Sequence, residues 1–238
     1  MNLAIDIGNT AAKWALFDGR TLAGSGLWPM TDGQWPEGGI DRALACVSGN
    51  SAILDAISNS LAINLSPLTS STPLPIRLDY KTPATLGADR IAAACGAWGL
   101  HPGEASLIID AGTCITVDYL DSEGVYHGGA IMPGLDMNMQ ALHTFTAKLP
   151  LIELPEKPEG VKIPGRSTEE SMVAGTLGAT LLALAGYVTL FRRQAPELHV
   201  LLTGGDAERL AAAGANGWER VEGLTLKGLN EIMMYNEK

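Results

Sequence analysis

Two short stretches bring a carboxylate, a glycine turn and a hydroxyl together: Ile5-Asp6-Ile7-Gly8-Asn9-Thr10 and Ile109-Asp110-Ala111-Gly112-Thr113. Such a turn suits a phosphate. Glycine lets backbone N–H groups approach the phosphate oxygens, the hydroxyl donates a further hydrogen bond, and the carboxylate holds a cation directly or through water. Lys13 adds positive charge close to the first turn. A plainer reading of one copy is that Asp6 caps a turn and Lys13 is a solvated strand residue. The presence of two copies favours phosphate chemistry. Neither copy is a P-loop: GxxxxGK[ST] is absent, and Gly24-Ser25-Gly26 is not followed by the rest of a dinucleotide fingerprint.

The elements that must hold these turns follow from hydrophobic periodicity and turn residues. Asn2–Ile7, Ala11–Phe17 and Thr21–Trp28 predict strands, the last two joined by an Asp18-Gly19 turn. Ala43–Ser48 predicts another strand, and Ser51–Leu61 has helical spacing with Ser51 placed to cap it. Pro67–Pro75 reads as a loop, Ile76–Tyr80 as a strand, and Ala88–Trp98 as a helix closed by Gly99 and His101-Pro102-Gly103. The pattern then restarts. Ser106–Ile109 leads into Asp110, Cys114–Tyr119 and Val125–Ile131 follow as strands, and Asp121–Gly124 is the turn between them. Leu135–Ala147 predicts a helix, and Leu149–Gly165, with four prolines, a loop. Thr168–Arg192 predicts one long helix or two end to end. His199–Leu202 predicts a strand entering Thr203-Gly204-Gly205-Asp206, and Ala207–Ala213 and Leu226–Tyr235 predict helices.

A repeat of about 100 residues is too long for a solenoid and fits a duplicated α/β domain. The expectation is two domains, 1–104 and 105–238, facing each other across a central cleft where ligands commonly bind. The last helix is placed to pack back on the first domain.

Composition narrows the function classes. Of 238 residues, 46% are hydrophobic and 18% charged, enough apolar material for a real core. The net charge of −10 and the lack of a basic patch argue against a nucleic-acid partner. An acidic protein that binds a polyanion needs cations or backbone N–H groups at the phosphates. Cys46, Cys95 and Cys114 are scattered, which fits a reducing compartment better than a disulfide framework. Cys95 and Cys114 are expected to be small buried residues. His101, His127, His143 and His199 share no ligand spacing. Met1–Thr10 lacks signal-peptide features, and the longest apolar stretch, Thr176–Leu190, is shorter than the roughly 20 residues a membrane span needs. The expectation is a cytoplasmic protein without a membrane partner.

The ordered set of motifs resembles the actin, sugar kinase and chaperone ATPase superfamily, and within it the type III pantothenate kinases. Asp6-Ile7-Gly8-Asn9-Thr10-Ala11-Ala12-Lys13 is similar to that family's first phosphate motif, Gly87-Ala88-Asp89-Arg90 to its catalytic motif, and Asp110–Asp118 to its second phosphate motif. Gly128–Gly134, Thr168–Gly175 and Thr203-Gly204-Gly205 follow in the family's order. Ser167 departs from the Asn often found there, and the linker from Gly33 to Asp41 is compact.

The resemblance implies two duplicated actin-like (ribonuclease H-like) α/β domains with mixed sheets. It also implies ATP-dependent phosphorylation of pantothenate to 4'-phosphopantothenate, the first step of coenzyme A biosynthesis. By the same resemblance, Asp89 is the general base, and Arg90 pairs with the pantothenate carboxylate. Tyr80, Gly87, Ala88 and Thr168 line the substrate pocket, Thr168 from its own or a partner subunit. Residues Asp6 to Lys13, with Thr113, bind ATP. Asp6 serves magnesium directly or through water, and Asp110 a monovalent cation, K+ or NH4+. The resemblance and the small-residue-rich stretch Thr176–Leu190 together imply a homodimer. The plainer alternatives are that Asp89 and Arg90 form an ordinary surface ion pair at a helix start, and that Thr168 is a helix cap. Tyr80 serves equally well as a core residue. Two other functions remain open at this level: a kinase of another small hydroxylated substrate, and a non-catalytic nucleotide-binding regulator.

Overall fold

A run of apolar side chains interrupted only by Asp6 makes Asn2–Ile7 a central strand, β1, buried along nearly its whole length. A computed structural model describes residues 1–8, 12–29, 39–49, 52–61 and 63–237. The predicted cap Ser51, the turn residues Asn9, Thr10 and Ala11, and most of the 33–41 linker lie outside them. β1 pairs antiparallel with β2 (Ala12–Asp18), which pairs with β3 (Thr21–Trp28). On its other edge β1 runs parallel to β4 (Arg42–Val47). After α1 (Ala52–Leu61), the two-residue β5 (Ser66–Pro67) extends the sheet in the order β3-β2-β1-β4-β5. Leu3, Ile5, Ile7, Leu16 and Ile57 form its core.

Contacts divide the chain into two units: Met1–Gly103 with Ser122–His127 and Gly223–Lys238, and Glu104–Asp121 with Gly128–Glu222. In the first unit, β6 (Arg77–Leu78) pairs with Val125 and Tyr126. It is shorter than the predicted Ile76–Tyr80 because only those two residues have strand partners. A 3₁₀ turn at Pro83–Thr85 precedes α2 (Ala88–Leu100). The second unit carries β7 (Ser106–Ala111), β8 (Cys114–Leu120), β9 (Val125–Pro133) from Gly128 onward, α3 (Leu135–Thr144), α4 (Thr168–Val173), α5 (Ala179–Arg192), β10 (His199–Thr203), α6 (Ala207–Ala213) and β11 (Glu219–Arg220). Its strand order is β11-β10-β7-β8-β9, with Leu107, Ile109, Ile115, Leu177 and Leu184 in the core. α7 (Leu224–Tyr235) belongs to the first unit.

The two sheets repeat one design at the level of register. β1 is flanked by an antiparallel β2 and a parallel β4, and β7 by an antiparallel β8 and a parallel β10. Asp6 lies opposite Lys13 and Cys46; Asp110 lies opposite Thr116 and Thr203. Even a loop hydrogen bond recurs: Gly49 N–H donates to the Ile7 carbonyl at 3.0 Å, and Asp206 N–H to the Ala111 carbonyl at 2.9 Å. Mixed sheets in a duplicated α/β arrangement are thus present, as the sequence implied.

One local difference from expectation has a clear cause, and one open alternative is decided. α3 stops at Thr144, because Phe145 leaves helical geometry and Thr146 turns its hydroxyl back to the Leu142 carbonyl at 2.8 Å. The 168–192 segment is one continuous helix whose middle, Ala174–Gly178, widens into a π turn instead of breaking. That helix is 25 residues long with a mean hydropathy of 1.7 over its most apolar window, so its length alone does not exclude a membrane span. One third of that window is buried inside the protein.

Candidate functional site

In the first unit, a backbone-to-backbone helix contact sets where α2 starts. Ala92, Ala93, Ala94, Gly96 and Ala97 of α2 are buried, and α2 packs closely on α7. A Cβ on Gly96 would sit 2.5 Å from the Leu224 carbonyl oxygen, and one on Gly228 would overlap the Ala92 carbonyl. Only hydrogen fits at either position, so the helices pack at backbone distance. Asn230 of α7 bonds Asn2 of β1 at 2.9 Å, which ties the pair to the central strand. At the N-terminal end of α2, Gly87 is the cap residue, and a Cβ there would collide with an Asp89 carboxylate oxygen. The Asp89 carboxylate accepts from the Arg90 N–H at 2.8 Å, which turns it toward its own helix start.

Asp89 and Asp6 feel each other. The Asp6 carboxyl is pushed up to about 6 from an ordinary value of 3.8. Burial is the largest cause and the Asp89 charge the next; Lys13 and a hydrogen bond involving Cys46 pull the other way. The structure therefore brings Asp6, Lys13, Cys46 and Asp89 together in one neighbourhood. Ile7 is fully buried, Ala12 buried, Gly8 partly exposed, and Lys13 points to solvent. Asn9, Thr10 and Ala11 fall outside the described residues. Arg90 is only 7% exposed, which corrects the surface-ion-pair alternative: a guanidinium this buried is part of the interior. Tyr80 is half-buried, its ring centroid 6.1 Å from that of Tyr126, and Asp79 beside it meets His127 at 3.3 Å.

In the second unit, Asp110 closes β7 and the Gly112-Thr113 turn leads to β8, with Thr113 exposed. Two glycine loops press on this turn. Gly134 N–H donates to the Thr113 carbonyl at 3.0 Å, and a Cβ on Gly134 would overlap the Gly112 and Thr113 carbonyls. Gly204 has φ +94°, a left-handed conformation that favours glycine, and a Cβ there would lie 2.5 Å from Asp110 Oδ1. Thr168 is exposed in the first turn of α4, but it is not the cap. Ser167 is: its Oγ accepts from the Glu170 N–H at 3.1 Å. Thr168 lines an open groove of about 800 Å³ together with Arg166, Ser167, Ser171, Leu142 and Leu149, among others.

Cys114 is exposed at the start of β8, against the expected burial, because the strand's first residue faces out beside the turn. Cys95 is buried as expected. His143 Nδ1 meets the Leu149 carbonyl at 2.9 Å, and His199 pairs with Glu104. Sequence reasoning missed Cys46, the Ser48-Gly49 loop, and a cluster of Asp136, Asp206 and Arg209. Extending the repeat to the strands parallel to β1 and β7 would have found the first two, since Cys46-Val47-Ser48-Gly49 stands where Thr203-Gly204-Gly205-Asp206 stands.

Comparisons with known proteins agree in direction. The family model for type III pantothenate kinase matches residues 44–190. A type III pantothenate kinase from Phocaeicola vulgatus is 40% identical over all of both chains, and one from Bacteroides fragilis is 39% identical over 99% of this chain and 98% of its own. A solved structure of a conserved protein assigned to the Baf family of transcriptional activators, from Campylobacter jejuni, matches with a TM-score of 0.64 at 20% identity, covering 98% of each chain. A Sinorhizobium meliloti protein described as a 2-dehydro-3-deoxygalactonokinase matches with a TM-score of 0.58 at 11% identity, covering 100% of this chain and 99% of its own. At those identities the two structures support the fold alone.

Proposed function

The chain belongs to the type III pantothenate kinase family, and on that premise we propose a role for each part of its site. The enzyme phosphorylates pantothenate with ATP, a step of coenzyme A biosynthesis. In our reading Asp89 accepts the proton of the pantothenate hydroxyl as that oxygen attacks the γ-phosphorus of ATP. The new O–P bond forms as the bond from that phosphorus to the ADP oxygen breaks. Such a transfer needs mainly positioning and charge stabilisation. The observation that carries the assignment is the place of Asp89 in the first turn of α2, its carboxylate held by the Arg90 N–H at 2.8 Å and its charge felt by the buried Asp6 carboxyl of the same unit.

Asp6 through Lys13 and Thr113 take the ATP phosphates, with Lys13 as a mobile positive charge. The donor set fits hard cations: Asp6 is a buried carboxylate whose ionisation a cation would favour, and it would serve magnesium directly or through water. Asp110, a carboxylate among backbone carbonyls, fits a monovalent cation, K+ or NH4+. Arg90 supplies a two-pronged donor for the pantothenate carboxylate. Tyr80, Gly87, Ala88 and Thr168 complete the substrate pocket, Thr168 from its own or the partner subunit. The working form is a cytoplasmic homodimer, supported by exposed Leu182 and Leu190 on α5. Neither nucleic acid nor membrane is a partner: the net charge of −10 supports the first, and the core packing of Leu177, Leu184 and Val188 the second. ADP release measured by a coupled assay, with and without pantothenate, tests the reading. Release that does not depend on pantothenate overturns it.

A further inference from the structure

Among the ionic contacts that the reaction scheme above does not use, one joins two loops at the Asp110-to-Thr113 turn. Arg209 of α6 reaches Asp206 at 2.6 Å and Asp136 at 3.2 Å, both through the same terminal nitrogen. The guanidinium is 14% exposed and Asp206 16%, while Asp136 is 78% exposed. The Arg209 Nε is buried without a hydrogen-bond partner, so the terminal nitrogen makes the polar contacts seen for this side chain.

The two carboxylates belong to different loops. Asp206 follows the Thr203-Gly204-Gly205 loop, and its own N–H donates to the Ala111 carbonyl at 2.9 Å. Asp136 sits in the first turn of α3, two residues after Gly134. Gly204 and Gly134 are the two glycines that press on the Asp110-Gly112-Thr113 turn, the first against Asp110 and the second against the Gly112 and Thr113 carbonyls. Arg209 is therefore the side chain that joins the two loops enclosing that turn.

We propose that Arg209 is a positioning residue for ATP: by bridging Asp206 and Asp136 it fixes both glycine loops and hence the geometry of the Asp110-to-Thr113 turn. This rests on the reading that the turn meets the nucleotide. Loss of a charge-assisted hydrogen bond of this kind corresponds to about 10- to 100-fold in a binding constant when it falls wholly on the ligand. The loss falls on ATP rather than on pantothenate: the proposed pantothenate contacts at Tyr80, Asp89 and Arg90 lie in the other unit, and the one at Thr168 is on α4, which the bridge does not join.

The experiment is steady-state kinetics on the full chain, varying ATP and pantothenate separately, with thermal melts of each variant. Arg209→Met should raise KM for ATP by about tenfold or more, while KM for pantothenate stays within about twofold. Arg209→Lys, which keeps a charge between the two carboxylates, should recover part of that. Asp136→Asn removes the exposed half of the bridge without touching the core and should raise KM for ATP by about two- to fivefold. A merely structural role predicts a lower melting temperature, a lower active fraction and unchanged KM values. Two controls separate the layers. Glu208→Gln, next to Arg209 in sequence but paired with Arg220, should leave both KM values unchanged. Thr113→Val tests the underlying reading: an unchanged KM for ATP there removes the turn from the nucleotide site. If Thr113→Val raises KM for ATP but Arg209→Met leaves it within twofold, the inference about Arg209 fails alone. If Arg209→Met does not fold, a normal KM for ATP in both Arg209→Lys and Asp136→Asn refutes it.

Discussion

Asp6→Asn should make the ligand-free protein more stable while destroying its ability to use ATP. Folding raises the Asp6 carboxyl from 3.8 to about 6, so the native state holds the proton more tightly than the unfolded chain. The difference is about two pH units, each worth about 1.4 kcal/mol, which gives about 3 kcal/mol between the two protonation states. The sign follows from linkage. Below pH 4 the carboxyl is neutral in both states and the full benefit of the neutral form is present. As pH rises through 6 the native carboxyl must ionise, and that benefit is lost. Asparagine behaves as the permanently neutral form. Urea denaturation should therefore show Asp6→Asn more stable than the parent by about 1–3 kcal/mol at pH 8, the lower end allowing for altered hydrogen bonding to Cys46. The gap should shrink toward zero by pH 4. ADP formation by the variant should be lost throughout. A variant no more stable than the parent at pH 8, or a gap independent of pH, would refute the argument that Asp6 is a buried charge opposed by its surroundings.

Four further outcomes follow from the same geometry. Asp89→Asn should lower turnover by about 10²–10⁴-fold with melting temperature and nucleotide affinity nearly unchanged, read by kinetics, thermal melts and calorimetry; loss of folding would instead mark Asp89 as a helix-start residue. Gly228→Ala should destabilise the first unit by about 3 kcal/mol or more, because the new methyl meets the Ala92 carbonyl with no side chain able to move aside, and urea melts check this. Turnover should fall sharply when sodium or a bulky organic cation replaces potassium at equal ionic strength, and equal rates in all salts would remove the cation from Asp110. Light scattering at micromolar concentration should give twice the 25.0 kDa chain mass; a clean monomer would sink the homodimer.

Much of this was legible in the sequence because its signals are local. The Asp-x-Gly turns lie at the ends of apolar runs, so the strands β1 and β7 and their antiparallel partners follow from alternation and short turns alone. What pairs in parallel does not announce itself. Cys46 comes to lie beside Asp6 through a crossover, and its only signal in the sequence is its correspondence to Thr203 in the second copy. The Arg209 bridge joins residues 73 positions apart, a separation at which charge pattern carries no register information. Ser167 and Thr168 are adjacent hydroxyls, and only backbone geometry decides which one caps. The helix through Gly175 and Gly178 continues where two glycines suggest a break. A single widened turn absorbs the irregularity, while Leu177 stays buried in the core.

The membership of α7 in the first unit has a consequence for the newborn chain. Residues 104–222 supply nearly all of the second unit, so that unit can close as soon as they have been synthesised. The first unit cannot. The small-residue face of α2, which ends at Leu100, must wait for Gly228, and β1 must wait for Asn230. At about 5–20 residues per second, the 128 residues from Leu100 to Gly228 take roughly 6–26 seconds to make. For that interval Ala92 and Gly96 lack the helix that covers them, so a helix made before the whole second unit reaches its native packing after it.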